Sequence, residues 1–540
     1  MAAGAAAFIL LLALAGVGSA GSRDCVTHDN DDHDADRLPR DVSVFINIRD
    51  VSALERRLGG STLGDALRNT IAGSEIGKSW ESFARTVRMD DAELIQLMFS
   101  GSCTLAMRPQ EQDADAAHDW LVMTHMTDNS WSELAHHARF RVHRPLHSVP
   151  VRALPDQQLR FAHVNDRLLF APLDADDTIS LFGDSLAMLR SKHAESLTDS
   201  PGWRDLARLR DADVHVLIRH QPPTEGFSVA AVTFDESGLR IEHRSRLSRT
   251  AVGDPPRPIT FACDRLPQIR GDGIAAIVHP RTTPSGQLAT FFRAQMPADS
   301  LPRSLTARTG ERMVWRVSAP AAAGDPLQVT LSIEATSLDG AAEDLDRFMT
   351  GVVSMLHTLA RQPAPAADVH RFEKLAQDAC RSMDVGKSLA IIFPDHASLA
   401  RMPLCWRIVE TETFGDDVSR GWMLIGTSVE HVNGSADVLR RALDGAEHSV
   451  QVSGLAASID APQAAAIASL LAEKLNDAED EASDAASLMS MAAGLLRAAG
   501  EIAVSLEMPA RGRIHSTWLI SLQPAEAPNV ENGRMAGPGD

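Results

Sequence analysis

The run Val42-Ser43-Val44-Phe45-Ile46-Asn47-Ile48 constrains the chain more than any other stretch. Successive side chains of an extended strand point to opposite faces, so Val44, Ile46 and Ile48 share one side, and Ser43, Phe45 and Asn47 the other. A helix signal follows at once. Ser52-Ala53-Leu54-Glu55 has capping-box spacing, in which the hydroxyl accepts from a first-turn amide and the Glu reaches back. Gly59-Gly60 then supplies a stop, because glycine tolerates the left-handed turn after a last helical residue. The reading is strand, tight connection, short helix.

Looser versions recur. Strands are expected at 103–107, 120–126, 151–154, 159–164, 167–171 and 214–218, and a hairpin at 229–234 and 239–247. Its turn is Asp235-Glu236-Ser237-Gly238, and Arg240, Glu242, Arg244 and Arg246 alternate with Leu239, Ile241 and Leu247. Helices are expected at 63–69, 79–88, after Asp90, and at 177–191. Gly253-Asp254-Pro255-Pro256-Arg257-Pro258 reads as a linker. Beyond it come strands at 274–278, 313–317, 327–335, 389–393, 405–410 and 422–426, with a helix at 287–295. Leu345, Phe348, Met349, Val352, Val353, Leu356 and Leu359 mark an amphipathic helix. Ala-rich helices at 461–475 and 485–498 precede a closing hairpin at 502–506 and 514–522.

A second pattern joins the first unit to its flanks. Residues 41–67, then Trp80 and the helix-then-strand of 90–107, with Gly-Ser-x-Leu-Gly at Gly60–Gly64, resemble the opening of a family of large exported bacterial proteins of unknown function, common in planctomycete genomes. The resemblance is clearest over residues 41–107. It implies export and architecture and brings no active site.

A chain of 540 residues exceeds one core. The expectation is an α+β protein of two related domains, each a mainly antiparallel sheet covered by helices. Arg167–Ala171 with its following helix echoes Trp422–Gly426 with the helix at 436–443, and 214–247 echoes 502–522, which points to an internal duplication. The expected division is a signal peptide at 1–20, an acidic disordered segment at 21–40, domain one at 41–252, the linker at 253–258, domain two at 259–523 including the Ala-rich helices at 461–498, and a disordered tail at 524–540. The apolar run Ala5–Ala15 before Gly18-Ser19-Ala20 carries the export expectation. At this length it is short for a span, so no stable membrane segment is expected after cleavage.

The formal charge of −20 argues against a nucleic-acid partner, which needs a concentrated basic surface. Tyrosine is absent, so no phenol serves as an acid or base. The five cysteines include no Cys-x-x-Cys pair, which excludes a zinc ribbon or thioredoxin-type motif. Cys103 and Cys405 are expected as buried thiols. Ala72-Gly73-Ser74-Glu75-Ile76-Gly77-Lys78-Ser79 misses a phosphate loop at its first glycine and lacks a preceding strand. No Gly-x-Ser-x-Gly elbow and no His-Glu-x-x-His occurs. Trp120, Trp315, Trp406, Trp422 and Trp518 fall in expected strands and read as core. Asn433-Gly434-Ser435 fits a glycosylation acceptor or a turn.

The metal-ligand candidates are Asp29 and His33 in the acidic segment, and His136, His137 and His143 in a His- and Arg-rich stretch. Their spacing matches no metal motif, and solvated charge runs are the competing reading. No cofactor is expected. Two function classes remain open. One is an exported, periplasmic or extracellular, non-enzymatic binding or structural component of the bacterial cell envelope, with an envelope or extracellular partner. The other is an exported hydrolase or metal-dependent enzyme with a dispersed site.

Overall fold

The computed structural model describes residues 34–58, 64, 75–99, 101–108, 119–173, 180–190, 195–209, 211–220, 225–235, 238–248, 257–280, 309–319, 328–347, 349, 371–374, 387–392, 402–414, 418–443, 450–476 and 483–522. The expected signal peptide, most of the acidic segment, all but one residue of the helix at 63–69, the helix at 287–295, most of the linker, most of the amphipathic helix from Leu345 to Leu359 and the tail lie outside these residues. Contacts divide the chain into two units: Met1–Val252 with Leu475–Gly500 and Leu519–Asp540, and Gly253–Lys474 with Glu501–Trp518.

The first unit holds β1 (Val44–Ile48), β2 (Cys103–Arg108), β3 (Asp119–His125), β4 (Arg141–Leu146), β5 (Val149–Leu154), β6 (Leu159–Val164), β7 (Arg167–Pro172), β8 (Val214–His220), β9 (Gly226–Phe234) and β10 (Gly238–Leu247). All pairings are antiparallel, in the order β4-β5-β6-β7-β3-β2-β1-β8-β9-β10. β1 is interior, with β2 on one edge and β8 on the other. Its alternation separates two cores rather than core from solvent. Ile46 and Ile48 pack with Leu54, Leu58, Phe83, Leu94 and Met98 from the helices Val51–Leu58, Glu75–Val87 and Asp91–Phe99. Phe45 packs with Leu121, Leu186 and Leu217, the second from the helix Leu181–Arg190.

Several local expectations need correction. The cap of the helix Val51–Leu58 is Asp50, whose Oδ1 accepts from Ala53 N at 2.8 Å, and Ser52 lies inside the first turn. A carboxylate one residue before the helix meets the open amides and the positive helix end together. The acidic segment is not disordered up to Arg40. Asp34–Arg37 forms a 3-10 turn, and Ala35 and Leu38 join the core. The reason is a buried polar chain. Asn47 Nδ2 donates to Thr104 Oγ1 (2.8 Å), Thr104 Oγ1 donates to Asp34 Oδ2 (2.9 Å), and Arg167 Nε donates to Asp34 Oδ1 (2.9 Å). Asn433-Gly434-Ser435 sits inside the helix Val429–Leu443 rather than at a turn. Docking of that helix outweighs the roughly 1 kcal/mol helix cost of a glycine. Trp406 and Trp422 are core, whereas Trp518 is 38% exposed.

The second unit holds β12 (Ala275–Pro280), β13 (Thr309–Ser318), β14 (Gln328–Ala335), β15 (Arg371–Lys374), β16 (Lys387–Ile392), β17 (Met402–Phe414), β18 (Val418–Gly426), β20 (Leu455–Asp460) and most of β21 (Ala499–Ala510) and β22 (Arg513–Leu522), whose residues Ala499–Gly500 and Leu519–Leu522 count with the first unit. A separate ribbon pairs β11 (Ile259–Phe261) with β19 (Val450–Val452). The antiparallel order is β15-β16-β17-β18-β14-β13-β12-β20-β21-β22. Position by position this is the pairing order of the first unit. The pair Val44↔Met107 corresponds to Ala275↔Val317, and Asn47↔Thr104 to Val278↔Val314. One difference is an insertion. The helices Ala461–Asn476 and Ser483–Ala498 lie between β20 and β21, whereas β9 begins at Gly226, soon after β8 ends at His220.

The expected pair of helix-covered sheets is therefore corrected. Among the described residues strand outweighs helix, and the main strands of each unit form one antiparallel run of ten rather than a small sheet under a layer of helices. Hydrogen bonding propagates along strand edges wherever edge amides and carbonyls meet, and periodicity in a sequence carries no record of which edge meets which.

Arg167→Ala leaves a buried Asp34 carboxylate without its partner, so it is expected to cost about 3–5 kcal/mol. Replacing both charges by apolar groups, Asp34→Leu with Arg167→Met, is expected to recover most of that loss. Urea unfolding followed by tryptophan fluorescence measures both variants.

Candidate functional site

A buried polar cluster of the second unit forms where β13 ends, β14 begins and β18 passes into the helix Val429–Leu443. Thr427 N donates to Val329 O at 3.0 Å, and Val329 N donates back to Thr427 Oγ1 at 2.9 Å. A Cβ on Gly426 would lie 2.6 Å from Val432 Cγ2 and 2.7 Å from Val329 O, so only glycine fits this close passage. Ser428 Oγ accepts from His431 N at 3.3 Å, which starts the helix and places His431 in its first turn, over the end of the β13–β14 pair.

His431 is buried, 5% exposed. Its Nε2 is hydrogen-bonded to Ser318 Oγ at 2.8 Å and its Nδ1 to Thr330 Oγ1 at 3.0 Å. Arg316 lies beside it. That guanidinium donates to Arg270 O (3.2 Å), Ser435 Oγ (3.4 Å) and the exposed Asp272 carboxylate (3.2 Å). Arg407 bonds Asn433 on the same helix. Burial, and then the nearby Arg316 charge, pull the His431 pKa from 6.5 down to about 4, with Asp272 opposing. The imidazole is neutral at physiological pH.

A serine hydroxyl on an imidazole nitrogen has the spacing of a nucleophile and its base. The rest of the constellation opposes that chemistry. A base that takes the serine proton becomes imidazolium, and a working triad steadies it with a carboxylate on the far nitrogen. Here the far nitrogen meets a Thr330 hydroxyl, and the nearest strong charge is the cationic Arg316. The cluster satisfies buried polar groups and pins the helix to the sheet.

The corresponding corner of the first unit has other residues in the same frame. Arg108, at the end of β2, pairs with Asp41 (2.9 Å) and with Asp184 of the helix Leu181–Arg190 (2.8 Å). Asp119, at the start of β3, accepts from Leu181 N at 2.6 Å. Burial pushes its carboxyl above the usual range, against the pull of that amide and of Arg108 and Arg160. On β8, β9 and β10 a run of contacts joins His220 to Ser228 (2.7 Å), Ser228 to Ser245 (2.6 Å) and Ser245 to His243 (2.8 Å).

Of the residues singled out from sequence, Asp29 and His33 lie outside the described residues. His136 and His137 are exposed at the last turn of the helix Asp128–His137, with their rings 5.6 Å apart. There they face the negative helix end. His143 is half-buried on β4, its Nδ1 3.4 Å from Arg144 O. These three do not belong to the group whose ligand atoms converge, which is Asp128, His163 and Asp166. Cys103 and Cys405 are buried, and burial drives the Cys103 pKa far upward. Sequence reading missed Ser318, Thr330 and His431. Thr330 and His431 are 101 residues apart, and no local pattern marks such a pair.

No protein-family model, no curated protein and no solved structure matches this chain. Among the described residues, no helix is long and apolar enough to cross a membrane.

An unfolded chain binds a proton on this histidine between pH 6.5 and about 4 that the folded chain refuses. The stability this residue contributes is therefore complete above pH 6.5 and drains away as the pH falls toward 4. His431→Gln is expected to lose less stability than the wild type between neutral pH and pH 4, by about 3 kcal/mol. Urea titrations at several pH values measure the difference.

Proposed function

We propose that this chain is an exported, periplasmic or extracellular protein that serves as a non-enzymatic binding or structural component of the bacterial cell envelope. Its partner is an envelope or extracellular component rather than a nucleic acid. The reading rests on the histidine knot. His431 has a serine on one nitrogen, yet Arg316 and burial oppose the imidazolium that acyl transfer requires. The exposure of His136 and His137 takes support from a metal-dependent enzyme built on the His- and Arg-rich stretch. The identical strand order in two stretches supports an internal repeat, and a repeated sheet is a scaffold that offers extended surface. The apolar N-terminal run and the resemblance over residues 41–107 support export.

Two measurements test this. In the native host the protein is expected outside the cytoplasm, with a mature N-terminus near Gly21; intact Met1 in a cytoplasmic fraction contradicts export. A fluorophosphonate probe is expected to leave Ser318 unlabelled. Stoichiometric labelling that Ser318→Ala removes would establish the hydrolase instead.

A further inference from the structure

The hairpin turn between β6 and β7 brings a second, chemically different cluster together in the first unit. Asn165 and Asp166 form a two-residue connection with φ of 51° and 56°, the left-handed pair that suits a tight hairpin. β7 lies against β3, with Arg167 opposite His125. The turn therefore sits beside Met126, the residue after β3. Met126 N donates to Asp166 O at 3.0 Å. Thr127 caps the helix Asp128–His137 by accepting from Ser130 N, which puts Asp128 at its first position.

His163, near the end of β6, faces this junction. Its side chain is 8% exposed. The ring stacks on Trp131 at 5.6 Å and 11°, and its Nε2 lies 2.8 Å from Met126 O. A carbonyl oxygen accepts only, so Nε2 carries the proton. In the neutral ring Nδ1 then presents a lone pair. Asp128 Oδ1, itself an acceptor, lies 3.5 Å from that nitrogen. The ligand atoms of Asp128, His163 and Asp166 all lie within 4.8 Å of one another. Electron-rich atoms facing one another need a proton or a cation between them.

We propose that Asp128, His163 and Asp166 form a zinc-type divalent cation site, with water completing the coordination. Metal–ligand bonds of about 2.0–2.2 Å place tetrahedral donors about 3.4 Å apart. The observed 3.5 Å between His163 Nδ1 and Asp128 Oδ1 is close to that edge. One nitrogen and two carboxylates suit zinc rather than calcium or magnesium, which prefer all-oxygen shells. The carbonyl on the far nitrogen is the outer partner that fixes tautomer and ring direction in metal-bound histidines. Both carboxylates are exposed at the surface, beside the buried imidazole. The cation ties the β6–β7 turn to the start of the helix. No catalysis is required of it, so the site is independent of the envelope role proposed above.

The test uses the full mature chain, stripped with chelator and titrated with zinc by calorimetry and with cobalt(II) by visible absorption. The expected result is a saturable site that takes one equivalent per chain. Asp128→Asn with Asp166→Asn, both at exposed positions, is expected to remove that equivalent while circular dichroism and melting without metal stay unchanged. His163→Ala is expected to remove it too, and His136→Ala with His137→Ala to leave it. If the wild type shows no saturable zinc binding, the contact is a plain histidine–aspartate ion pair and the proposal fails. It fails equally if the Asp128→Asn with Asp166→Asn variant keeps its full stoichiometry, because the metal then sits elsewhere.

Discussion

The register of β1 against β2 is the constraint on which the first unit depends. A slip by one residue would turn Ile46 and Ile48 out of one core and Phe45 out of the other, because side chains alternate with period two. The two cores alone do not forbid a slip by two. The polar chain does. Asn47 stands opposite Thr104 in the pairing and bonds it, and Thr104 bonds Asp34, which Arg167 holds. Any other register leaves a buried amide, hydroxyl or carboxylate unpaired, at roughly 1–3 kcal/mol each and more for the charge. One network thereby fixes β1, β2, β7 and the N-terminal turn.

The second unit has the same strand order without that lock. The positions of Asn47 and Thr104 are taken by Val278 and Val314, a direct apolar pair. Polar specificity moves instead to the end of the strands, where Ser318, Thr330 and Arg316 meet His431 and Ser435. In the first unit the same corner holds Arg108 and Asp119 against the helix Leu181–Arg190. Each unit thus pins a helix's first turn to the opening of a hairpin, with different chemistry. A neutral buried imidazole and a paired carboxylate are two solutions to one problem, the open amides of a helix start and the polar groups around it.

A histidine in contact with a serine is not by itself a catalytic pair. A catalytic base needs a neighbour that welcomes its positive form. His431 has Arg316 instead. His163 is the contrasting case, with two carboxylates on its open side and a carbonyl behind it. Identical side chains are assigned opposite roles by the charges that the fold places next to them.

The sequence by itself determined most of the elements. Period-two runs mark β6 and both strands of the β9–β10 hairpin, and helical spacing marks the helices Glu75–Val87, Asp91–Phe99 and Ser483–Ala498. These are legible because burial imprints a local period on the chain. The helix Asp128–His137 and β4 were not legible: the helix buries only Leu134 and Ala138 nearby, and β4 is mostly exposed, so neither leaves a clear period. The burial of Asp34, the order of the strands within each unit and the meeting of Asp128 with His163 are decided only by the tertiary structure. Each of these depends on which distant edges and charges come together, and pairing across 30 to 130 residues carries no local signature.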